Sequence, residues 1–162
     1  MLTRRSRLLL GLTAATPLLF AACTDNNIFN PQDNAVGTYD LSVYAGRTMP
    51  ATFIISPGDP DFPEAPNGGT FVVTSGSLTL DSDGTFVEEN FFSTTPQGQS
   101  SQPSSFTSSG TWNVSGTNFS FSDPSRQRFV NGTLTEDVSG NIRVNYQEND
   151  SNGTPQSYEY IR

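Results

Sequence analysis

Short runs of alternating apolar and polar residues fill most of this chain, and they constrain its fold more than any other feature. Residues 39–43 (YDLSV) and 142–146 (IRVNY) both place apolar side chains at every second position. A period of two puts these side chains on one face of a β-strand. No segment beyond residue 36 shows a sustained helical period. The pattern therefore predicts an all-β domain of antiparallel strands with one buried and one wet face.

Glycine-containing turns separate the alternating runs. Segments 81–84 (DSDG), 114–118 (VSGTN) and 138–141 (VSGN) each lie between two of them. Glycine and asparagine tolerate the positive φ that tight hairpins need. Consecutive short connections predict a meander of eight or nine strands, closed into a barrel that leaves few free edges. A β-sandwich is the alternative fold, because it allows the same strand spacing.

The strand pattern begins at residue 37 and runs to 162, which predicts a single domain of ordinary size. Two polar stretches, 57–69 and 93–110, interrupt it and are predicted to be long loops. The second stretch is rich in Ser, Gln and Pro, which predicts mobility.

The N-terminal residues have a different pattern. Arg4, Arg5 and Arg7 form a positive start, residues 8–22 are mostly apolar, and Ala21 and Ala22 close the stretch with small side chains. These are the three parts of a secretory signal peptide. The apolar stretch is short for a membrane span, which needs about 20 apolar residues. Residues 1–22 are therefore predicted to be a signal peptide, with a marginal transmembrane anchor as the alternative.

The residues around Cys23 resemble a known processing site. Phe20-Ala21-Ala22-Cys23 is similar to the lipobox of bacterial lipoproteins, with Phe in place of the usual Leu. The resemblance implies cleavage between Ala22 and Cys23 and a lipid on Cys23, the only cysteine in the chain. It also implies a location in the cell envelope, anchored to a membrane and facing the periplasm or the exterior. Residues 3–9 (TRRSRLL) resemble a twin-arginine export signal, and export by the general pathway remains the alternative.

Residues 23–36, rich in Asn and Asp, are predicted to be a flexible tether between the lipid and the barrel. Removal of residues 1–22 leaves five basic and sixteen acidic residues, a net charge of −11. Such an acidic chain repels the phosphates of nucleic acids, so nucleic acid is not an expected partner. The expected partners are the membrane, through the lipid, and a small apolar ligand or an envelope protein, bound by a monomer.

The chain contains no histidine, which removes the commonest general base and a common metal ligand. Catalysis by Ser-His-Asp or Cys-His is excluded, and no cofactor or metal is expected. Glu88 and Glu89 could supply a carboxylate pair, as could the acidic loop 59–64, but adjacent strand residues point to opposite faces. The spacing of 81–84 also departs from a calcium-binding EF-hand loop. A non-catalytic protein is therefore predicted, and a carboxylate-based hydrolase is the least favoured class.

The domain resembles the small lipocalin-like domains of bacterial lipoproteins. The resemblance rests on 37–39 (GTY), 75–86 (SGSLTLDSDGTF), 110–112 (GTW) and 158–162 (YEYIR). It implies an antiparallel meander barrel that binds a small apolar ligand at its mouth.

Alternation places many aromatic side chains inside the predicted barrel, and they are Tyr39, Phe53, Phe71, Phe86, Trp112, Phe119, Phe121, Tyr146, Tyr158 and Tyr160. The candidate interior or ligand-contacting residues among them are Tyr39, Trp112, Tyr146, Tyr158 and Tyr160. An eight-stranded barrel can be filled by its own side chains or can hold one small ligand, and each case predicts a different function. One is a binding module that works through the barrel mouth or loops. The other is a structural or interaction module with a filled interior. So many large rings favour a mostly filled interior with a shallow pocket at one end.

Overall fold

A computed structural model of the protein describes residues 31–150 and 152–162. The predicted signal peptide, its cleavage site between Ala22 and Cys23, and most of the predicted tether lie outside these residues. Within the described part of the chain, no helix has the length and apolar character needed to cross a bilayer.

The described residues form ten strands and two short helical turns. In chain order they are α1 (Pro31–Ala35), β1 (Gly37–Tyr44), β2 (Arg47–Thr48), β3 (Ala51–Ile55), β4 (Gly69–Leu80), β5 (Thr85–Pro96), β6 (Gln102–Ser115), β7 (Asn118–Asp123), a 3-10 turn (Pro124–Arg126), β8 (Arg128–Glu136), β9 (Ile142–Asn149) and β10 (Pro155–Ile161).

Eight of the strands, β1 and β4 to β10, form a closed antiparallel barrel in meander order. The barrel closes where β1 pairs with β4, with Tyr39 opposite Leu78. This confirms the predicted all-β, eight-stranded meander barrel of lipocalin-like form. The β-sandwich alternative is wrong, because a single sheet closes on itself where β1 pairs with β4. The short strands β2 and β3 extend the edges of β1 and β4 at one end of the barrel.

Inward-facing side chains fill one half of the barrel, which we call the closed end. The turns β4–β5, β6–β7 and β8–β9 lie there, with α1 beside them. The fully or almost fully buried apolar side chains of this half are Tyr39, Leu78, Leu80, Phe86, Trp112, Val114, Phe119, Leu134 and Ile142. The opposite half, which we call the open end, carries the β3–β4 loop and the turns β5–β6, β7–β8 and β9–β10.

Helix α1 lies across the closed end and differs from the predicted tether. It contacts β6, which is not a neighbour of β1 in the sheet, and Ala35 is completely buried. The Tyr39 hydroxyl donates a hydrogen bond of 2.5 Å to the Ala35 carbonyl. Arg162 donates to the carbonyls of Asn34 and Val36. The described fold therefore includes residues 31–36 of the predicted tether, because a short polar segment buries one alanine and is held by side chains from both ends of the barrel sequence.

The polar stretch 93–110 also differs from its prediction. It is not a long loop, because β5 continues to Pro96 and β6 begins at Gln102, with Phe92 opposite Ser104 and Thr94 opposite Gln102. Antiparallel pairing satisfies the backbone of both segments although their side chains are polar. The other predicted loop is present between β3 and β4.

Candidate functional site

A buried carboxylate lies near the middle of the barrel. Glu88 follows Phe86 on the inward face of β5, and its side chain has no solvent exposure. Its Oε1 atom accepts hydrogen bonds from the Tyr146 hydroxyl at 2.5 Å and from Asn90 Nδ2 at 2.9 Å. The Tyr160 hydroxyl lies 2.7 Å from the same oxygen and 2.9 Å from Asn90 Oδ1. Burying a charge in this way is tolerated only when it is paired and fully hydrogen-bonded.

The counterion of Glu88 is Arg128, the first residue of β8. Arg128 Nη1 donates to Glu88 Oε2 at 2.5 Å. Its Nε and Nη2 atoms donate to the two carboxylate oxygens of Glu148 at 2.6 and 2.5 Å, which is a bidentate pair. The guanidinium also lies 4.7 Å from the ring centre of Phe121 and 5.2 Å from that of Phe106. The ring centre of Tyr146 lies 5.8 Å away, so one cation is enclosed by two carboxylates and three aromatic faces.

This arrangement controls the protonation of the neighbouring tyrosines. Burial raises the pKa of the Tyr146 and Tyr160 hydroxyls well above the usual value, and the charge of Glu88 raises it further. Burial lowers the pKa of Arg128, but the hydrogen bond with Glu148 and the charge of Glu88 outweigh it and the net shift is upward. Glu88 therefore stays paired with a permanent cation, and the two hydroxyls remain donors at neutral pH.

A glycine makes room for this network. Gly76 on β4 lies opposite Asn90 on β5, and a Cβ atom at this position would come 2.0 Å from Asn90 Oδ1. The Asn90 amide occupies the space that a side chain would need, and it bonds to Glu88 and Tyr160. Within the described residues, every buried side-chain nitrogen or oxygen has a hydrogen-bond partner.

We call this network the polar layer, and its members are Glu88, Asn90, Arg128, Tyr146 and Tyr160. Beyond it, the open end is lined by half-buried aromatic rings, namely Tyr44, Phe53, Phe71, Phe92 and Tyr158. Adjacent rings pack on one another. Tyr44 contacts Tyr158 and Phe53 edge-on at 5.1 and 5.7 Å, and Phe71 stacks on Phe92 at 5.4 Å. Large rings with one face covered and one face open are characteristic of binding surfaces.

Two adjoining cavities open between these rings. The first, the mouth cleft, has a volume of about 670 Å³, and Tyr44, Phe92, Phe106, Arg128 and Tyr158 are among its lining residues. The second, the aromatic cavity, has a volume of about 410 Å³ and is lined by Tyr44, Phe53, Asp61, Phe62, Phe71, Asp150 and Gln156. The two share Tyr44, Asp150 and Gln156, so they are neighbouring parts of one open end.

The β3–β4 loop forms one wall of the aromatic cavity. Its Phe62 ring packs on Phe71 at 5.2 Å, and its Ala65 is completely buried. Asn152 in the β9–β10 turn donates a hydrogen bond of 2.5 Å to Asp61 of this loop. The loop is therefore held over the open end by an aromatic contact on one side and a polar contact on the other.

The structure separates the five sequence-predicted candidates. Tyr39 and Trp112 are buried at the closed end, where Trp112 Nε1 donates to the Asp81 carbonyl at 3.0 Å. Tyr146 and Tyr160 are buried against Glu88. Tyr158 alone among them lines the mouth cleft.

Sequence reasoning missed Glu88 and Arg128 as interior residues, although a usable signal was present. Glu88 shares strand parity with Phe86, and Arg128 shares it with Val130, both of which are buried. Glu89 is exposed on the outer face, as expected for neighbours on a strand. In the part of the chain that the structure describes, no group of three or more carboxylates and cysteines is gathered as a metal ion would require.

No family model matches the chain, and no curated protein matches its sequence. Function is therefore inferred from the fold and from the geometry of the open end.

Proposed function

We propose that this protein is a non-catalytic, lipid-anchored binding module of the cell envelope, which takes a small ligand with an apolar body into the open end of its barrel. The observation that carries the proposal is the set of half-buried aromatic rings around the mouth cleft and the aromatic cavity. Both volumes fall within the range of about 300–1,000 Å³ that is common for small-molecule sites.

The depth of binding is limited by the polar layer beneath the mouth. Glu88 and Asn90 on β5 are hydrogen-bonded to Tyr160 on β10 across the barrel interior. A ligand that entered deeper would have to break a buried ion pair, which costs several kcal/mol. The proposed ligand therefore lies on the polar layer and against the rings, and it does not reach the closed end.

Titration followed by two-dimensional NMR tests this proposal. The full chain carrying Cys23→Ser is titrated with three probes that each contain a six-carbon chain, hexanol, hexanoate and hexyltrimethylammonium. We expect at least one probe to shift the signals of Tyr44, Phe92 and Tyr158 in a saturable way and to leave those of Trp112 in place. Tyr158→Ala should weaken this binding, whereas Val138→Ala, at an exposed position of the closed end, should not. If no probe moves the open-end signals, the binding module is rejected.

The anchoring part of the proposal rests on the sequence of residues 1–23. The positive start, the apolar stretch and the Ala21-Ala22-Cys23 exit support export, cleavage before Cys23 and lipid attachment to it. Metabolic labelling with a fatty acid should label the wild type and not Cys23→Ser. Equal labelling of both proteins would exclude Cys23 as the attachment site.

An envelope protein as partner is the second candidate, favoured by exposed apolar side chains near the open end. Ile54 on β3 and Phe129 on β8 have 80% and 67% of their surface exposed. Exposed apolar groups of this size can anchor a protein interface. A partner that binds at either position should lose affinity for Ile54→Ser or for Phe129→Ser and keep it for Val138→Ser. Equal affinity for all three variants would exclude both positions.

A further inference from the structure

The chemical class of the ligand can be narrowed at the aromatic cavity, and this step rests on the function proposed above. Four of its seven lining residues are aromatic, namely Tyr44, Phe53, Phe62 and Phe71. The rings meet at large interplanar angles, 80° between Tyr44 and Phe53 and 52° between Phe62 and Phe71. They therefore surround a space from several sides and do not form one flat stack.

The charged residues that line this cavity are both acidic. They are Asp61 from the β3–β4 loop and Asp150 from the end of β9, and none of the cavity's lining residues is basic. Asp150 accepts hydrogen bonds from the backbone of Thr154 and Asn152 and from Gln156 Nε2 at 3.2 Å. The Thr154 amide is the main cause of the lowered pKa of Asp150. Asp150 is thus a carboxylate at neutral pH, beside an aromatic wall.

Two arginines lie near the cavity, and both already have partners in the fold. Arg128, in the adjoining mouth cleft, is already paired with Glu88 and Glu148. The pKa of the Tyr44 hydroxyl, which also lines the cavity, is raised overall. Burial raises it most, the hydrogen bond with Tyr158 lowers it, and the charges of Asp150 and Glu148 raise it. Arg47 lies 4.8 Å from the ring centre of Phe53, so one ring of the cavity wall already has a cation on a face.

We infer that the aromatic cavity is a binding site for an organic cation, an ammonium group with small alkyl substituents on an apolar body. Aromatic faces attract a cation through the negative face of the ring, and the attraction is strongest when the cation sheds its water. The alkyl substituents of such a group fit against the rings while Asp150 supplies the opposite charge. An anionic ligand of the same size would meet the like charge of Asp150 at this position.

The three-probe titration of the Cys23→Ser chain also tests this inference, now by comparing affinities. We expect hexyltrimethylammonium to bind most tightly, hexanol next and hexanoate least, with the largest shifts at Phe53, Phe62 and Phe71. Asp150→Asn keeps an acceptor oxygen for the turn and removes the charge, so it should weaken the cation about 5-fold and leave hexanol nearly unchanged. Glu89→Gln, on the exposed outer face of β5, is the matched control and should change neither affinity.

A second variant separates the contribution of an aromatic ring from that of apolar contact. Phe71→Leu keeps an apolar side chain and removes the ring, so we expect it to weaken the cation about 2- to 30-fold and hexanol less. Preferential binding of the cation that is reduced by both variants supports the inference. If hexanol binds at the open end as tightly as the cation, the inference is wrong and the binding module stands. If none of the probes binds there, both are wrong.

Discussion

The closed end and the open end of the barrel are formed by the same eight strands, yet their interiors have opposite character. At the closed end, rings such as Trp112 and Phe119 stack inside an apolar core covered by α1. At the open end, rings such as Tyr44 and Phe71 are only half-buried and share their surroundings with carboxylates. Close packing and full burial stabilise the first region, whereas the second leaves aromatic surface available to a partner.

The boundary between the two ends is the polar layer, which consists of Glu88, Asn90, Arg128, Tyr146 and Tyr160. Such a layer adds little net stability compared with a well-packed apolar one, because removing charges from water is costly. Its position explains the difference between the ends, since it separates the half-buried rings of the mouth from the buried apolar core. Four experiments test whether the two ends differ in this way.

The largest effect is expected from the ion pair of the polar layer. Arg128→Met leaves Glu88 buried without a counterion, so it should lower the free energy of unfolding by about 3–5 kcal/mol in urea denaturation. The control is Arg143→Met, which also breaks contacts with two carboxylates, Asp137 and Glu159, but on the half-exposed outer surface. Its loss should be much smaller. Equal losses would mean that the polar layer is no more critical than a surface network.

Alkaline pH should destabilise the same polar layer. The folded-state pKa of Tyr146 and Tyr160 lies above the unfolded value of about 10, so their stabilising contribution is complete below that pH and is lost as pH rises above it. Each pH unit in this window should cost about 1.4 kcal/mol per tyrosine. Unfolding free energies measured from pH 8 to 12 check this prediction. Tyr160→Phe is the control, and its unfolding free energy should fall less steeply with pH. Ionisation of all tyrosines near pH 10 in a folded barrel would contradict it.

Low pH should destabilise one turn at each end of the barrel. The hydrogen bond from Ser125 lowers the pKa of Asp123, and that from Asn141 lowers the pKa of Asp137, both to about 2. Each carboxylate therefore contributes stability that is present above its unfolded value of 3.8 and lost as pH falls through about 2. Asp123→Asn and Asp137→Asn should each remove part of this loss, and their effects should add because the turns lie at opposite ends. Strongly non-additive effects in acid titrations would show that the two ends are coupled.

The smallest expected effect is at Trp112. Its side chain is 7% exposed and donates to the Asp81 carbonyl at the closed end. Its fluorescence emission should therefore be blue-shifted and should not change when hexyltrimethylammonium or hexanol saturates the open end. A saturable shift of the emission would mean that ligands pass the polar layer.

The sequence predicts the barrel well because alternation specifies which face of a strand is buried. Phe53, Phe71 and Tyr158 do face inward, as expected, but they are half-buried while Tyr39 and Tyr160 are fully buried. Alternation gives the face of a residue and not its depth along the barrel axis. The division between a filled end and an open end is therefore visible only once strand register is known.

The polar layer was hidden for a related reason. Glu88 and Arg128 are 40 residues apart in the chain, and Glu88 and Tyr160 are 72 apart. Each looks like an ordinary surface or core residue until β5, β8 and β10 are placed around one interior. The helical segment at 31–35 was missed because five polar or small residues, PQDNA, show no amphipathic period of their own.

The position of α1 has a geometric consequence for the proposed anchor. Because α1 lies at the closed end, the chain enters the fold at the face opposite the mouth. Fully extended, residues 23–30 span at most about 28 Å. A lipid on Cys23 would therefore hold the closed end towards the bilayer and point the mouth outward. In that orientation a ligand of the proposed kind would reach the mouth from the surrounding aqueous space and not from the membrane.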